Sequence, residues 1–203
     1  MAKYAEPSET VKIRACYDSI PVQLAKENTK FQYKIVRRGG SASLFGASID
    51  WLLQAGVVLK CRKIDHAMNP ITVCEDLSSF KLYMSDVGLL SMRSGIPQQM
   101  VLSGESNLFM GSVTENYIAQ ALHTKGYPLF YWASEHTAEV DFVIQRETEI
   151  IGIEVKKAIK TRSKSLNVFT QKYTPAYTVR FSEKNFGAGD GIKALPHYAA
   201  FCL

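Results

Sequence analysis

Apolar residues recur at helical spacing near the start of the chain, where Ile13, Tyr17, Ile20 and Leu24 form one stripe. Pro21 predicts an end or a kink before that stripe is complete. GGSASLFGASIDWLLQAG reads as a glycine-rich turn, a serine cap at Ser41 or Ser43, and a helix through Leu44, Ala47, Ile49, Trp51 and Leu52 that stops at Gly56. VVLKCRKI then alternates as a strand does. From residue 65 to 110 the pattern loosens. PITVCE is expected as a strand, FKLYMSDVGLL alternates Phe80, Leu82 and Met84 before a helix start at Ser85 or Asp86, and Met92 to Asn107 reads as an exposed loop or a loose turn of helix.

From about Gly111 the pattern sharpens. SVTENYIAQALHTKG places Val113, Ile118, Ala121 and Leu122 on a helical stripe ending at Gly126. YPLFYWAS, AEVDFVIQ, EIIGIEVKKA and AYTVRFS are four strand-like runs, and TRSKSLNVFTQKY between the last two is a helix with Leu166, Phe169 and Tyr173 on one side. Helix, three strands, helix, strand predicts an α/β unit over 111–203. Residues 1–64, in the order helix, turn, helix, strand, predict a small winged-helix-like unit, joined to it by the connecting segment 65–110. Helix-turn-helix units often bind DNA. No cluster of Arg, Asn and Gln marks a recognition helix here, so a packing or linker role stays open.

The 203 residues suit one large domain or two small ones, and 46% hydrophobic residues supply a real core. The longest uncharged runs are eleven residues, against the ~18 that a membrane-spanning helix needs, and Lys3 and Glu6 interrupt any secretory leader. Cys16, Cys61, Cys74 and Cys202 form no C-x-x-C pair, and the four histidines are scattered. A reduced, cytoplasmic protein with no membrane partner is expected, with Cys202 a buried thiol. The net charge of +5 is patchy. Lys30, Lys34, Arg37 and Arg38 lie in an acid-free stretch, and so do Lys156, Lys157, Lys160, Arg162 and Lys164. Each patch fits either nucleic acid or a solvated face.

Chemistry concentrates where two strands meet. Antiparallel pairing about a turn at Glu147 and Thr148 sets Asp141 directly opposite Glu154, with Lys156 two residues along on the same face. Like charges facing each other across a sheet repel. The pair therefore predicts a compensating cation, either Lys156 or a divalent metal, and hard oxygen ligands favour Mg²⁺ or Mn²⁺. Such an ion polarises a phosphoryl oxygen, and the Lys156 ammonium can orient water or stabilise developing charge, which is what phosphodiester hydrolysis requires. Glu115, on an apolar face of the preceding helix, can add a fourth group or close an S-x-x-E capping box with Ser112. A strand register slipped by a residue or two would instead leave Glu154 and Lys156 an ordinary exposed pair.

KLYMSDVGLL (81–90), GSVTENYIAQAL (111–122), AEVDFVI (138–144) and IEVKKA (153–158) resemble the C-terminal domain of bacterial and archaeal AAA-type ATPases, the domain of unknown function numbered 4143. That domain is similar to the PD-(D/E)XK nuclease superfamily. The resemblance extends over YAEPSETVKIRACYDSIPVQLAKENTK and onward to WLL, so it covers almost the whole chain. It implies a restriction-endonuclease-like α/β core of about four strands with flanking helices. Position by position, it implies a metal site at Asp141 and Glu154 with the Val155 carbonyl, catalytic roles for Lys156 and Glu115, and a nucleic-acid path, DNA first, along Lys157, Lys160, Arg162 and Lys164. It also implies an ATPase domain in cis. G-x-x-x-x-G-K-[ST] occurs nowhere, so no ATP site is expected in this chain, which reads as the C-terminal part of a longer ATPase. Self-association stays open. The alternative is a catalytically inactive module docking nucleic acid or a protein to an ATPase, and a third reading is a DNA-binding regulator using residues 10–64.

Overall fold

In a computed structural model the protein is a mixed α/β molecule, described over residues 6–103, 109–134, 138–156 and 164–203. Two compact units share the chain: residues 1–60 with 81–113, and 61–80 with 114–203. The divisions fall inside a strand, β1 (Val58–Ile64), inside its successor β2 (Glu75–Met84), and inside the helix α6 (Met110–Thr124).

The first unit is built on α1 (Pro7–Leu24), the short α2 (Tyr33–Val36) and α3 (Ala42–Gln54). Ile13, Cys16, Ile20 and Leu24 of α1 and Phe45, Ile49 and Leu52 of α3 are buried, the i, i+3/4, i+7 spacing of packed helices. The α1 helix runs through Pro21 instead of ending there. Only one turn follows the proline, and within it Gln23 and Leu24 are buried, so packing outweighs the one lost backbone bond. Gln23 also closes the connection that follows: its amide donates to the Gln32 carbonyl and accepts from the Gln32 N–H, each at 3.0 Å. Burial, with Glu9 nearby, pushes the Cys16 thiol up to about 11, leaving it inert at neutral pH.

Asp86 caps α4 (Val87–Arg93), its carboxylate accepting from the Leu89 N–H at 2.9 Å. A second short helix, α5 (Gln98–Ser103), follows where a loop or loose turn is expected. The Ser112–Glu115 capping box does not form. Ser112 lies inside α6, and its hydroxyl donates to the Leu24 carbonyl at 2.7 Å.

In the second unit, PITVCE is not a strand: Ile71–Cys74 is a 3-10 turn and β2 begins after it. Burying Ile71, whose N–H is taken by the Gln145 side chain at 2.9 Å, holds that turn. The strands β3 (Phe130–Ala133), β4 (Glu139–Arg146), β5 (Glu149–Val155), β6 (Thr178–Ser182), β7 (Gly187–Gly189) and β8 (Ile192–Pro196) complete an eight-stranded mixed sheet of order β2-β1-β3-β4-β5-β6-β8-β7. The β3–β4 and β4–β5 pairs are antiparallel, while β1–β3, β5–β6 and β6–β8 are parallel.

The helix α7 (Lys164–Tyr173) makes the crossover from β5 to β6 and buries Leu166 and Phe169 against Phe130, Trp132, Val140 and Val143. Trp132, Phe169 and Tyr173 meet edge-on or tilted, with centroids 5.0–5.7 Å apart. Gly152 leaves room for this layer, since a Cβ there would lie 2.8 Å from the Phe169 ring. The final segment is a 3-10 turn, His197–Cys202, in which Cys202 is exposed, not buried. The apolar run AAFCL sends Ala199 and Ala200 inward and leaves Phe201 and Cys202 in solvent.

Candidate functional site

Asp141 and Glu154 meet at one end of the sheet. The β4–β5 hairpin turns at Glu147 and Thr148, with Glu147 in the left-handed region at φ 56°, and pairs Phe142↔Ile153, Val143↔Gly152, Ile144↔Ile151, Gln145↔Ile150 and Arg146↔Glu149. Carried one step past the last bonded pair, this register, the one that the turn predicts, would set Asp141 across from Glu154. Regular pairing breaks at this point. Phe130↔Val143 and Trp132↔Val140 give β4 one residue more than β3 between these pairs, a β-bulge that contains Asp141. The re-aimed carboxylate accepts the Val155 N–H through Oδ2 at 2.7 Å.

Glu154 is only 2% exposed. Its Oε1 lies 3.2 Å from Lys156 Nζ and its Oε2 lies 3.5 Å from Arg180 Nε. Both Oε2 and Arg180 Nε are buried without a hydrogen bond, so their contact is coulombic attraction without directional pairing. Arg180 is delivered by the crossover, since β6 pairs Glu154↔Arg180 and Val155↔Phe181 in parallel. Beyond the strand end, the Lys156 N–H donates to the Phe181 carbonyl at 2.8 Å, and His197 Nε2 donates to the Lys156 carbonyl at 3.0 Å. The buried Glu154 carboxylate thus faces two cations, on a main chain held from both sides.

His197 is kept neutral. Burial pushes its pKa below the ordinary histidine value, against smaller opposing pulls from the Lys156 carbonyl and Glu183. Because the folded state holds the proton less tightly than the unfolded chain, this contribution to stability is full above the ordinary value of about 6.5 and is lost as pH falls through the lower folded value. Denaturant unfolding at pH 7.5 and at about pH 5 is expected to show a larger loss for the wild type than for His197→Gln. Equal losses would remove His197 as the cause.

The other expected groups are placed unevenly. Glu115 sits half-buried on α6. Among the described residues no three His, Cys, Asp or Glu side chains gather around a common point, so Glu115 does not join Asp141 and Glu154 in a three-carboxylate cluster. Lys164 is exposed at the start of α7, whereas Lys157, Lys160 and Arg162 lie outside the described residues. Sequence reasoning passed over Arg180 and His197. The one signal for Arg180 is a charged residue midway along TVRFS, between Val179 and Phe181, both fully buried.

A cleft of about 580 Å³ opens at the same end of the sheet, lined by Lys63, Asp65, His66, Trp132, Ser134 and Lys172 among others. Its strands are next to the site: Ile64 pairs with Trp132, and Ala133 pairs with Glu139, two residues before Asp141. Lys63 is held by Asp65 and Asp76 at 3.0 and 3.2 Å, while the Lys172 ammonium stands over the rings of Trp132 and Tyr173.

By donor chemistry alone a divalent ion would suit these residues. Two carboxylates and the Val155 carbonyl are all hard oxygen ligands, and Glu154 Oε2 is buried with nothing hydrogen-bonded to it. Lys156 and Arg180 compete for the same carboxylate.

Comparison with known proteins locates this half of the chain. Residues 110–199 match the family model described as a domain of unknown function, DUF4143. Asp141, Glu154, Lys156, Arg180 and His197 all lie within the DUF4143 match. Residues 1–100 match a second model, also described as a domain of unknown function, DUF8612. Uncharacterized proteins of Mycobacterium tuberculosis and Mycobacterium bovis are each 30% identical over 121 residues, covering 57% of this chain and 27% of theirs. The matched part thus spans about a quarter of the length of these curated relatives. No solved structure matches. Among the described residues no helix is long and apolar enough to cross a membrane.

Proposed function

We propose that the DUF4143 segment is a restriction-endonuclease-like nuclease unit acting on nucleic acid, DNA in the first instance, within a longer protein that also carries an AAA-type ATPase domain. What supports the reading is the Asp141 carboxylate on the N–H of Val155, next in chain to the buried Glu154 beside Lys156, with a carboxylate oxygen left without a hydrogen bond. The chain order α6, β3, β4, β5, α7, β6 supports it.

Asp141, Glu154 and the Val155 carbonyl would hold Mg²⁺ or Mn²⁺. The ion, when bound, supplies Lewis-acid polarisation of a phosphoryl oxygen. Lys156, with its side chain 37% exposed, reaches solvent from a buried partner and can orient a water or receive the charge that builds on phosphate. Arg180 would hold Glu154 in place through their 3.5 Å charge contact. Lys164 and Lys172, both on α7, would offer positive charge to the phosphate backbone.

The test is cleavage of single-stranded DNA, duplex DNA and RNA with Mg²⁺ or Mn²⁺. Asp141→Asn and Lys156→Gln are each expected to lower the rate about 100-fold or more, with the melting temperature of Lys156→Gln close to the wild type's. Cleavage that survives both substitutions, or wild-type protein that cleaves nothing, overturns the reading.

One observation favours a second reading, a binding module without catalysis. Lys156 and Arg180 already neutralise Glu154. If calorimetry with Mn²⁺ finds no site that Glu154→Ala removes, the module reading stands instead.

A further inference from the structure

We infer that the Arg180 guanidinium is a built-in counter-ion on the open oxygen of Glu154, so that a divalent ion reaches that oxygen only by displacing it and binds weakly while Arg180 stays. This inference rests on the metal-site reading above and adds to it what controls occupancy.

The two oxygens of Glu154 are not equivalent. Oε1 lies 3.2 Å from the Lys156 ammonium. Oε2 lies 3.5 Å from Arg180 Nε, and neither atom of this second contact has a hydrogen bond. A guanidinium built to pair with a carboxylate does so through aligned N–H donors, often two at once. Here Arg180 supplies charge without that alignment, so coulombic attraction alone keeps it on Oε2. An ion of higher charge competes on the same terms.

Exposure decides which partner yields. The Glu154 side chain is 3% exposed, whereas that of Arg180 is 24% exposed. A carboxylate so sealed keeps its place, and the arginine, on its longer stem, is the one that can carry its charge toward water. Lys156 is the more exposed cation, but it faces the other oxygen. The fold makes Arg180 a standing neighbour of the carboxylate. Parallel pairing sets Glu154 beside Arg180, and Val179 and Phe181, both fully buried, pin β6 on either side of it.

The test is calorimetric titration of Mn²⁺ into the 203-residue wild type, Arg180→Gln, Arg180→Lys and Glu154→Ala/Arg180→Gln, with no nucleic acid present. Arg180→Gln is expected to bind Mn²⁺ about tenfold or more tightly than wild type. Arg180→Lys keeps the charge and should bind as weakly as wild type, and the double variant should lose the site. Because losing Arg180 costs stability, chemical denaturation across a Mn²⁺ series reads the same affinities by linkage. The midpoint of Arg180→Gln should rise at Mn²⁺ concentrations that leave the wild type unmoved. Equal affinity in wild type and Arg180→Gln, or an Arg180→Lys variant that binds as tightly as Arg180→Gln, overturns the inference and leaves the metal site standing. Mn²⁺ bound by neither wild type nor Arg180→Gln, or binding that Glu154→Ala leaves intact, overturns the metal-site reading itself and the inference with it.

Discussion

Arg180→Met is expected to destabilise the protein by about 3 kcal/mol, a fall in melting temperature of roughly 6–12 °C for a chain of this size. Glu154 is nearly sealed from solvent, and removing Arg180 leaves one of its oxygens facing neither a cation nor a hydrogen-bond donor. The penalty is that of an uncompensated buried charge, tempered by the Lys156 contact that remains. The double variant Glu154→Met/Arg180→Met should recover most of the loss, because two apolar side chains of similar length replace two desolvated charges and Lys156 can turn its ammonium to water. Chemical denaturation of the wild type, both single variants and the double variant measures the cycle. A double variant no more stable than Arg180→Met would show that Glu154 is not held by charge pairing.

The second large effect lies in the layer under α7. Phe169→Ala should cost about 3–5 kcal/mol, since a fully buried ring that touches Trp132 and Tyr173 would leave a cavity over the sheet. Gly152→Ala should cost about 1–3 kcal/mol by the opposite fault, a methyl group driven into the same ring at 2.8 Å. The two sites are therefore coupled, and Gly152→Ala should cost clearly less in a Phe169→Leu background. Additive losses would mean that the ring is not what reserves position 152 for glycine.

Both predictions turn on contacts of differing legibility. The β4–β5 hairpin could be read from EVDFVIQRETEIIGIEVKK because a two-residue turn leaves only one register that keeps Val140, Phe142, Ile151 and Ile153 buried. With the register comes the Asp141–Glu154 juxtaposition. The capping box could not be judged from S-x-x-E alone: Ser112 has a competing acceptor at Leu24, 88 residues away in sequence. PITVCE failed as a strand for a similar reason, since a glutamine from β4 takes the Ile71 N–H.

By itself the sequence determined the local elements, the carboxylate pair and its neighbouring lysine, because each follows from side-chain periodicity and a short turn. Only the tertiary structure decided what answers the buried charge. Arg180 reaches Glu154 through a parallel pairing across a helical crossover, and His197 reaches the Lys156 carbonyl from another strand's end. Parallel partners are joined by long connections that leave no local register in the sequence, so the pairing is settled by how α7 packs on the sheet.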